Sequence, residues 1–291
     1  MDWKRDLPTW SHPDLSRRVR QRPHEWHIQE TGTGPTMLLL HGAGATTHTW
    51  RDLIRPFSKD FRIVMLDLPG HGFTRVGNRA RMGLETTAED IAALCKIEGW
   101  EPEVLVGHSA GAAVALELSG LLANSQPDAP RVVAINAALD RFEGIAGWLF
   151  PAFAKMLAMN PFVPLAFSLG GGTNIRARAI IQNTGSHLSK EGYRYYARLL
   201  NSHSHVDGTL QMMARWNTDA LYARLPEIKN QCLLITGQKD KAVPPQVSDR
   251  AAEILPNAKR FELDGVGHLA HEESPELLSQ IVLEYCLKTP V

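Results

Sequence analysis

The sequence predicts an α/β domain, a mostly parallel sheet with helices on both faces and an inserted helical cap. Two observations carry this. Short apolar, β-rich runs alternate with longer segments of helical period. That alternation then stops between Leu139 and about Asp219, where helices and loops are expected but no strand.

The predicted strands are Trp26 to Gln29, Met37 to His41, Ile63 to Asp67, Val104 to Gly107, Val132 to Asn136, Cys232 to Gly237 and Arg260 to Leu263. Among the helices, Thr86 and Glu89 form a capping box ahead of Ile91, Leu94 and Ile97, and Gln246 to Leu255 follows the Pro244-Pro245 start signal. A last helix runs from about Pro275 to Leu287. Residues 1–23 are polar and basic and read as an arm over the surface. Residues 24–138 and 220–291 form the core, and 139–219 the cap.

At 291 residues the chain can bury roughly three quarters of its unfolded surface in one core. The cysteines, Cys95, Cys232 and Cys286, match neither a disulfide framework nor a zinc spacing, so a reducing, cytoplasmic setting is expected. Lysine plus arginine equal aspartate plus glutamate at 31 each, which offers nucleic acid no general attraction. The apolar cap stretch Gly144 to Gly172 has Lys155 as its one charge, yet Pro151, Pro161 and Pro164 cut it into pieces too short to span a bilayer. No transmembrane segment is expected.

Gly107-His108-Ser109-Ala110-Gly111 lies between strand-like Val104-Leu105-Val106 and helix-forming Ala112 to Leu116. A G-x-S-x-G motif in that context is a nucleophile elbow, which places the chain in the α/β-hydrolase fold with Ser109 as the nucleophile. Its base and acid follow in the order Asp, then His. Asp240 stands just beyond the strand Cys232 to Gly237, with Asp264 and Asp140 as fallbacks. His268 follows the last strand in Gly265-Val266-Gly267-His268, and His271 is its rival. Backbone donors for an oxyanion are expected at Ala43, in His41-Gly42-Ala43-Gly44-Ala45, and at Ala110, with Gly44 as an alternative to Ala43.

Elsewhere the bland readings are preferred. The loop Gly70-His71-Gly72 is structural, His108 packs or supports, and Arg75, Arg79 and Arg81 form a solvated face. His203 and His205 lack the further ligands a metal site needs, and no cofactor is expected. The expected substrate is apolar. Trp148, Met156, Met159, Met212, Met213 and Trp216 are its candidate contacts in the cap, since thioether and indole surfaces suit a large flat ligand.

Several stretches resemble the BchO-type α/β-hydrolases, the magnesium-chelatase accessory proteins of bacteriochlorophyll biosynthesis. They are Met1-Asp2-Trp3, His41 to Ala45 with Thr47-His48-Thr49-Trp50, Asp67-Leu68-Pro69-Gly70-His71-Gly72-Phe73-Thr74 and Gly107 to Ala113. In the cap they are Leu157 to Pro161, His205-Val206-Asp207-Gly208 and Met212 to Trp216, and near the end Gly267 to Glu273. The resemblance implies work in or beside magnesium-tetrapyrrole synthesis, a tetrapyrrole-like ligand, a magnesium-chelatase subunit as partner, and a place peripheral to the photosynthetic membrane. It supplies no reaction. A Ser-Asp-His serine hydrolase is the leading expectation. A non-catalytic tetrapyrrole-binding protein is one alternative, and a general carboxylesterase or carbon–carbon bond hydrolase another.

Overall fold

The computed structural model describes residues 1–123, 129–139 and 172–288. An eight-stranded sheet lies at the centre, in the order β1-β2-β4-β3-β5-β6-β7-β8. The strands are β1 Ser16–Gln21, β2 His24–Thr31, β3 Thr36–Leu40, β4 Arg62–Leu66, β5 Pro102–His108, β6 Arg131–Ile135, β7 Cys232–Gly237 and β8 Ala258–Leu263. β1, β2 and β4 pair antiparallel, and the pairs from β4 to β8 are parallel.

Parallel strands are covered on both faces, so alternate residues enter opposite layers. Leu38 and Leu40, Val64 and Leu66, Leu105, Val132 and Leu234 join one core. Met37 and Leu39, Ile63 and Met65, Val104 and Val106, Val133 and Ile235 join the other. Leu84–Glu98 (α3), Ala110–Ala123 (α4) and Gln246–Ile254 (α9) cover the first face; Ile54–Phe57 (α2) and Pro275–Lys288 (α10) cover the second.

All seven predicted strands are present, with bounds moved by no more than a few residues. β1 was not expected. The proposed arm over 1–23 therefore needs correction: Ser16 to Gln21 pair with Gln29 to His24 and belong to the sheet. Four of the six β1 residues are partly or fully exposed, so no clean apolar alternation announces the strand. Its charges pair instead, Arg17 with Glu30 and Glu98, and Arg18 with Glu25, as suits an edge strand. The segment before it, with Trp3–Asp6 (α1), packs Leu7 and Trp10 against Phe73, Tyr195 and Leu199.

The capping box is also corrected. Leu84 is buried, and α3 begins three residues earlier, with Gly83 rather than Thr86 as its N-cap and no side-chain cap bond. Thr86 lies inside the first turn and donates its hydroxyl to Gly83 O at 3.2 Å. Nor is the arginine cluster merely solvated. Arg81 pairs with Asp90 and Glu89, Arg79 with Asp207, and Arg75 with Glu25.

The described part of the insertion is helical: Thr173–Asn183 (α5), Lys190–Leu200 (α6) and His203–Met213 (α7), followed by Asp219–Arg224 (α8). Expectations for Asp140, Trp148, Met156 and Met159 fall outside the described residues. Among the described residues no helix is long and apolar enough to cross a membrane. The cysteines are buried and unpaired, and burial pushes each thiol up to about 12, so none offers a thiolate at neutral pH.

Candidate active site

The parallel strands deliver their following loops to one sheet edge, where ligands of open α/β sheets bind. Ser109 is the hinge between β5 and α4, with a left-handed φ of 53°. A non-glycine residue there is strained, and the surroundings hold it. Its N–H donates to Ile135 O at 2.9 Å, and its carbonyl accepts from Ala112 N at 3.1 Å and Ala138 N at 3.2 Å. The flanking glycines are required sterically. A Cβ on Gly107 would strike the Gly111 carbonyl and Ala112, and one on Gly111 would strike the Leu40 and His41 carbonyls.

Asp240 follows β7 and has no solvent-exposed side-chain surface. Its Oδ1 accepts from Ala242 N and Val243 N, both at 2.8 Å. Oδ2 accepts from Asn136 Nδ2 at 2.6 Å and from His268 Nδ1 at 2.8 Å. That arrangement fixes the Nδ1–H tautomer of His268 and leaves Nε2 available as a base. Asp264 is exposed, so the geometry does not bring it to His268.

His271 turns the other way. Its Nε2 donates to Thr49 Oγ1 at 2.6 Å, and Thr49 passes its own proton to Glu272 Oε1 at 2.7 Å. Burial pushes His271 well below the ordinary imidazole range and keeps it neutral. His108 is likewise neutral through burial, donates Nε2–H to His268 O at 2.8 Å, and stacks its ring 4.4 Å from His271 and 4.8 Å from His268.

The 42–45 loop comes close because Gly42 has no side chain: a Cβ there would lie 2.8 Å from His108 Nδ1 and 3.0 Å from Ser109 Cβ. His41 braces the loop, donating Nδ1–H to Gly42 O at 2.8 Å and accepting from Leu68 N at 2.9 Å. Ala43 is exposed beside the site, and Ala110 opens α4, where amides have no intrahelical acceptor.

A cavity of about 300 Å³ opens above this loop. Ala43, Gly44, Ala45, His108 and His268 form its floor; Ala177 and Ile181 of α5, Leu199 of α6, and Val206 and Leu210 of α7 form walls. No charged side chain is among its described lining residues. The candidate contacts Met212, Met213 and Trp216 do not line it. Met212 is buried in the main core and Trp216 packs against that core half-buried. His205, Val206, Thr209 and Leu210 of α7 reach the cavity, whereas Met212 and Met213 are the last two residues of that helix and Trp216 lies beyond its end.

Both ring nitrogens of His205 are engaged within the protein. Burial pushes it down to about 3; Nδ1 accepts from Gly72 N at 3.1 Å and Nε2 donates to Gly44 O at 3.2 Å. His203 is exposed, and no group of three or more potential metal ligands occurs among the described residues. Asp67 holds the Gly70-His71-Gly72 loop through Phe73 N at 2.9 Å and anchors Thr47 N at 2.8 Å. Burial alone would raise its pKa, but His27 at 2.7 Å outweighs that and holds the carboxyl well below its usual range.

Sequence reasoning missed Asn136 and the buried set of Arg51, Thr49, Tyr196 and Glu272. Asn136 carried one usable signal, its place at the end of β6 beside the elbow strand. The buried set carried none, because Tyr196 and Glu272 are far in sequence from Thr49 and Arg51.

The model of the α/β-hydrolase fold family matches residues 35–275. The chain belongs to this family. A relative 42% identical over 284 residues, spanning 97% of this α/β-hydrolase and 98% of the relative, is the magnesium-chelatase 30 kDa subunit of Rhodobacter capsulatus. The BchO-type resemblance therefore extends along nearly the whole chain. The pimeloyl-acyl-carrier-protein methyl ester esterase of Xanthomonas oryzae pv. oryzae is 26% identical over 91% of this chain and 100% of its own length. Among solved structures, an α/β-hydrolase fold protein from Burkholderia ambifaria superposes with a TM-score of 0.77 at 20% identity, over 93% of this chain and 98% of that one.

Proposed function

We propose that this α/β-hydrolase is a serine hydrolase acting in or beside magnesium-tetrapyrrole synthesis. Ser109 attacks an ester-like carbonyl, His268 takes and returns the proton, Asp240 orients His268, and the amides of Ala43 and Ala110 receive the oxyanion. Water then resolves the acyl-enzyme. The observation that carries this reading is the 2.8 Å bond from His268 Nδ1 to a buried, fully satisfied Asp240, on the sheet edge that presents Ser109. A carboxylate buried with four donors serves to orient the imidazole rather than to act on substrate.

The metabolic setting rests on the kinship to a magnesium-chelatase subunit, and so does the proposal of a chelatase subunit as partner at a peripheral membrane site. The same kinship favours a second reading, a tetrapyrrole-binding accessory protein without turnover. Assay of neutral acyl esters alongside titration with magnesium-free and magnesium-bearing porphyrins separates the two. Ester turnover that depends on Ser109 supports the hydrolase. Saturable porphyrin quenching of tryptophan fluorescence without such turnover supports the accessory role.

A further inference from the structure

The cap does more than wall the cavity. Its turn from Thr184 to His187 enters between the loop that carries Asp240 and the loop that carries His268. On the acid side, Lys241 N donates to Thr184 O at 3.0 Å, and a Cβ on Gly185, whose φ is 86°, would strike the Lys239 carbonyl. On the base side, Leu269 N donates to Ser186 Oγ at 2.8 Å, and His187 N donates to Glu273 Oε2 at 3.0 Å. A Cβ on Gly267 would lie 2.6 Å from Ser186 N, so the two backbones are in direct contact.

One further bolt comes from α6. Tyr196 faces the cavity and donates its hydroxyl to Glu272 Oε1 at 2.7 Å. Glu272 has no exposed side-chain surface and also takes Arg51 Nη1 at 2.5 Å. It therefore ties the cap to the core three residues from Leu269. Buried, charge-assisted bonds of this kind fix geometry strongly.

We propose that the Thr184–His187 turn and Tyr196 splint the acid and base loops together, so that His268 is held for catalysis only while the cap is seated. Thr184 and Tyr196 also touch the cavity, so an acyl group that disturbs the cap disturbs the base. The inference rests on the proposed role of His268. Ser186 and Tyr196 are thereby positioning residues: they act through the base loop and need not touch the reacting atoms.

The test uses the full-length protein, Ser186→Ala and Tyr196→Phe. Three quantities are read: the rate at which a fluorophosphonate labels Ser109, the melting temperature, and the ¹H NMR signal of the His268 proton shared with Asp240. Losing one buried bond to the base loop should slow labelling about tenfold. It should also broaden or shift that proton signal at temperatures where the fold is intact. Wild-type labelling rates with an unchanged signal, and only a lower melting temperature, would overturn the splint and leave a structural contact. If the wild type itself is not labelled at Ser109, the hydrolase reading fails, while the His268 signal in the two variants still decides whether the cap holds that ring.

Discussion

His268 and Asp240 share a 2.8 Å hydrogen bond in which the carboxylate is already engaged by Asn136 and two backbone amides. Asp240→Asn replaces an acceptor by a donor at this point. The fold can absorb the change, because Asn136 Oδ1 is buried without a partner and a flip of its amide would accept the new N–H. The tautomer of His268 cannot survive it. Turnover should fall by about four powers of ten with only a modest loss of stability. Steady-state kinetics and thermal melts check both parts, and Asp264→Asn, at an exposed position, should change neither.

The strained φ of 53° at Ser109 has its own test. Glycine accepts this conformation freely, whereas a β-branched residue does not. Ser109→Gly should abolish activity without lowering stability, and Ser109→Val should cost about 2 kcal/mol or more. Chemical denaturation of both variants measures the difference. Equal stabilities would show that the elbow stores no strain.

Acid should unfold this protein early. Burial lowers His41, His48, His71, His108, His205 and His271, with His205 pushed from 6.5 to about 3. Each is neutral when folded but takes up a proton when unfolded as pH drops below about 6.5. Stability is then lost at about 1.4 kcal/mol per pH unit for each such group, down to its folded pKa. Asp67 is shifted in the same direction, but its contribution is lost only as pH falls below about 3.8, so it plays no part in this window. Urea midpoints at pH 7.5 and 5.5 should differ by a large part of the total stability. Equal midpoints would contradict the buried, neutral assignment.

The fold was legible where burial imposes a pattern. Strands such as Met37 to Leu40 are fully buried on both faces and read as unbroken apolar runs. β1 was not legible because an edge strand of arginines satisfies itself by ion pairs rather than by alternation. The placement of the Ser109 turn, Asp240 and His268 was legible because a tight turn needs its glycines and because strand ends deliver loops to one edge. The cap contacts were read from composition alone. Composition does not say which residues of a helix reach a cavity, and Met212 is packed in the main core instead. The Ser186 and Tyr196 contacts arise only in three dimensions.

The packing of Met212 in the core, away from the cavity, is itself testable. Met212→Ala should destabilise the fold by about 2–5 kcal/mol, as buried large-to-small changes do, and leave KM for esters unchanged. Leu210→Trp, on the cavity wall, should raise KM increasingly with acyl-chain length while sparing acetyl esters. Kinetics across a chain-length series check this. An effect of Met212→Ala on KM that matches Leu210→Trp would place the ligand elsewhere.

The central claim is that Ser109 is the nucleophile, and covalent labelling reads it most directly. Wild-type protein and Ser109→Ala are treated with a fluorophosphonate, digested, and mapped by mass spectrometry, with ester turnover measured in parallel. One phosphonyl group on the peptide containing Ser109, none on Ser109→Ala, and a loss of about six powers of ten in turnover are predicted. Labelling at another residue, or retention of more than about a hundredth of the activity in Ser109→Ala, would contradict the account, since a missing oxyanion donor alone costs about two to three powers of ten.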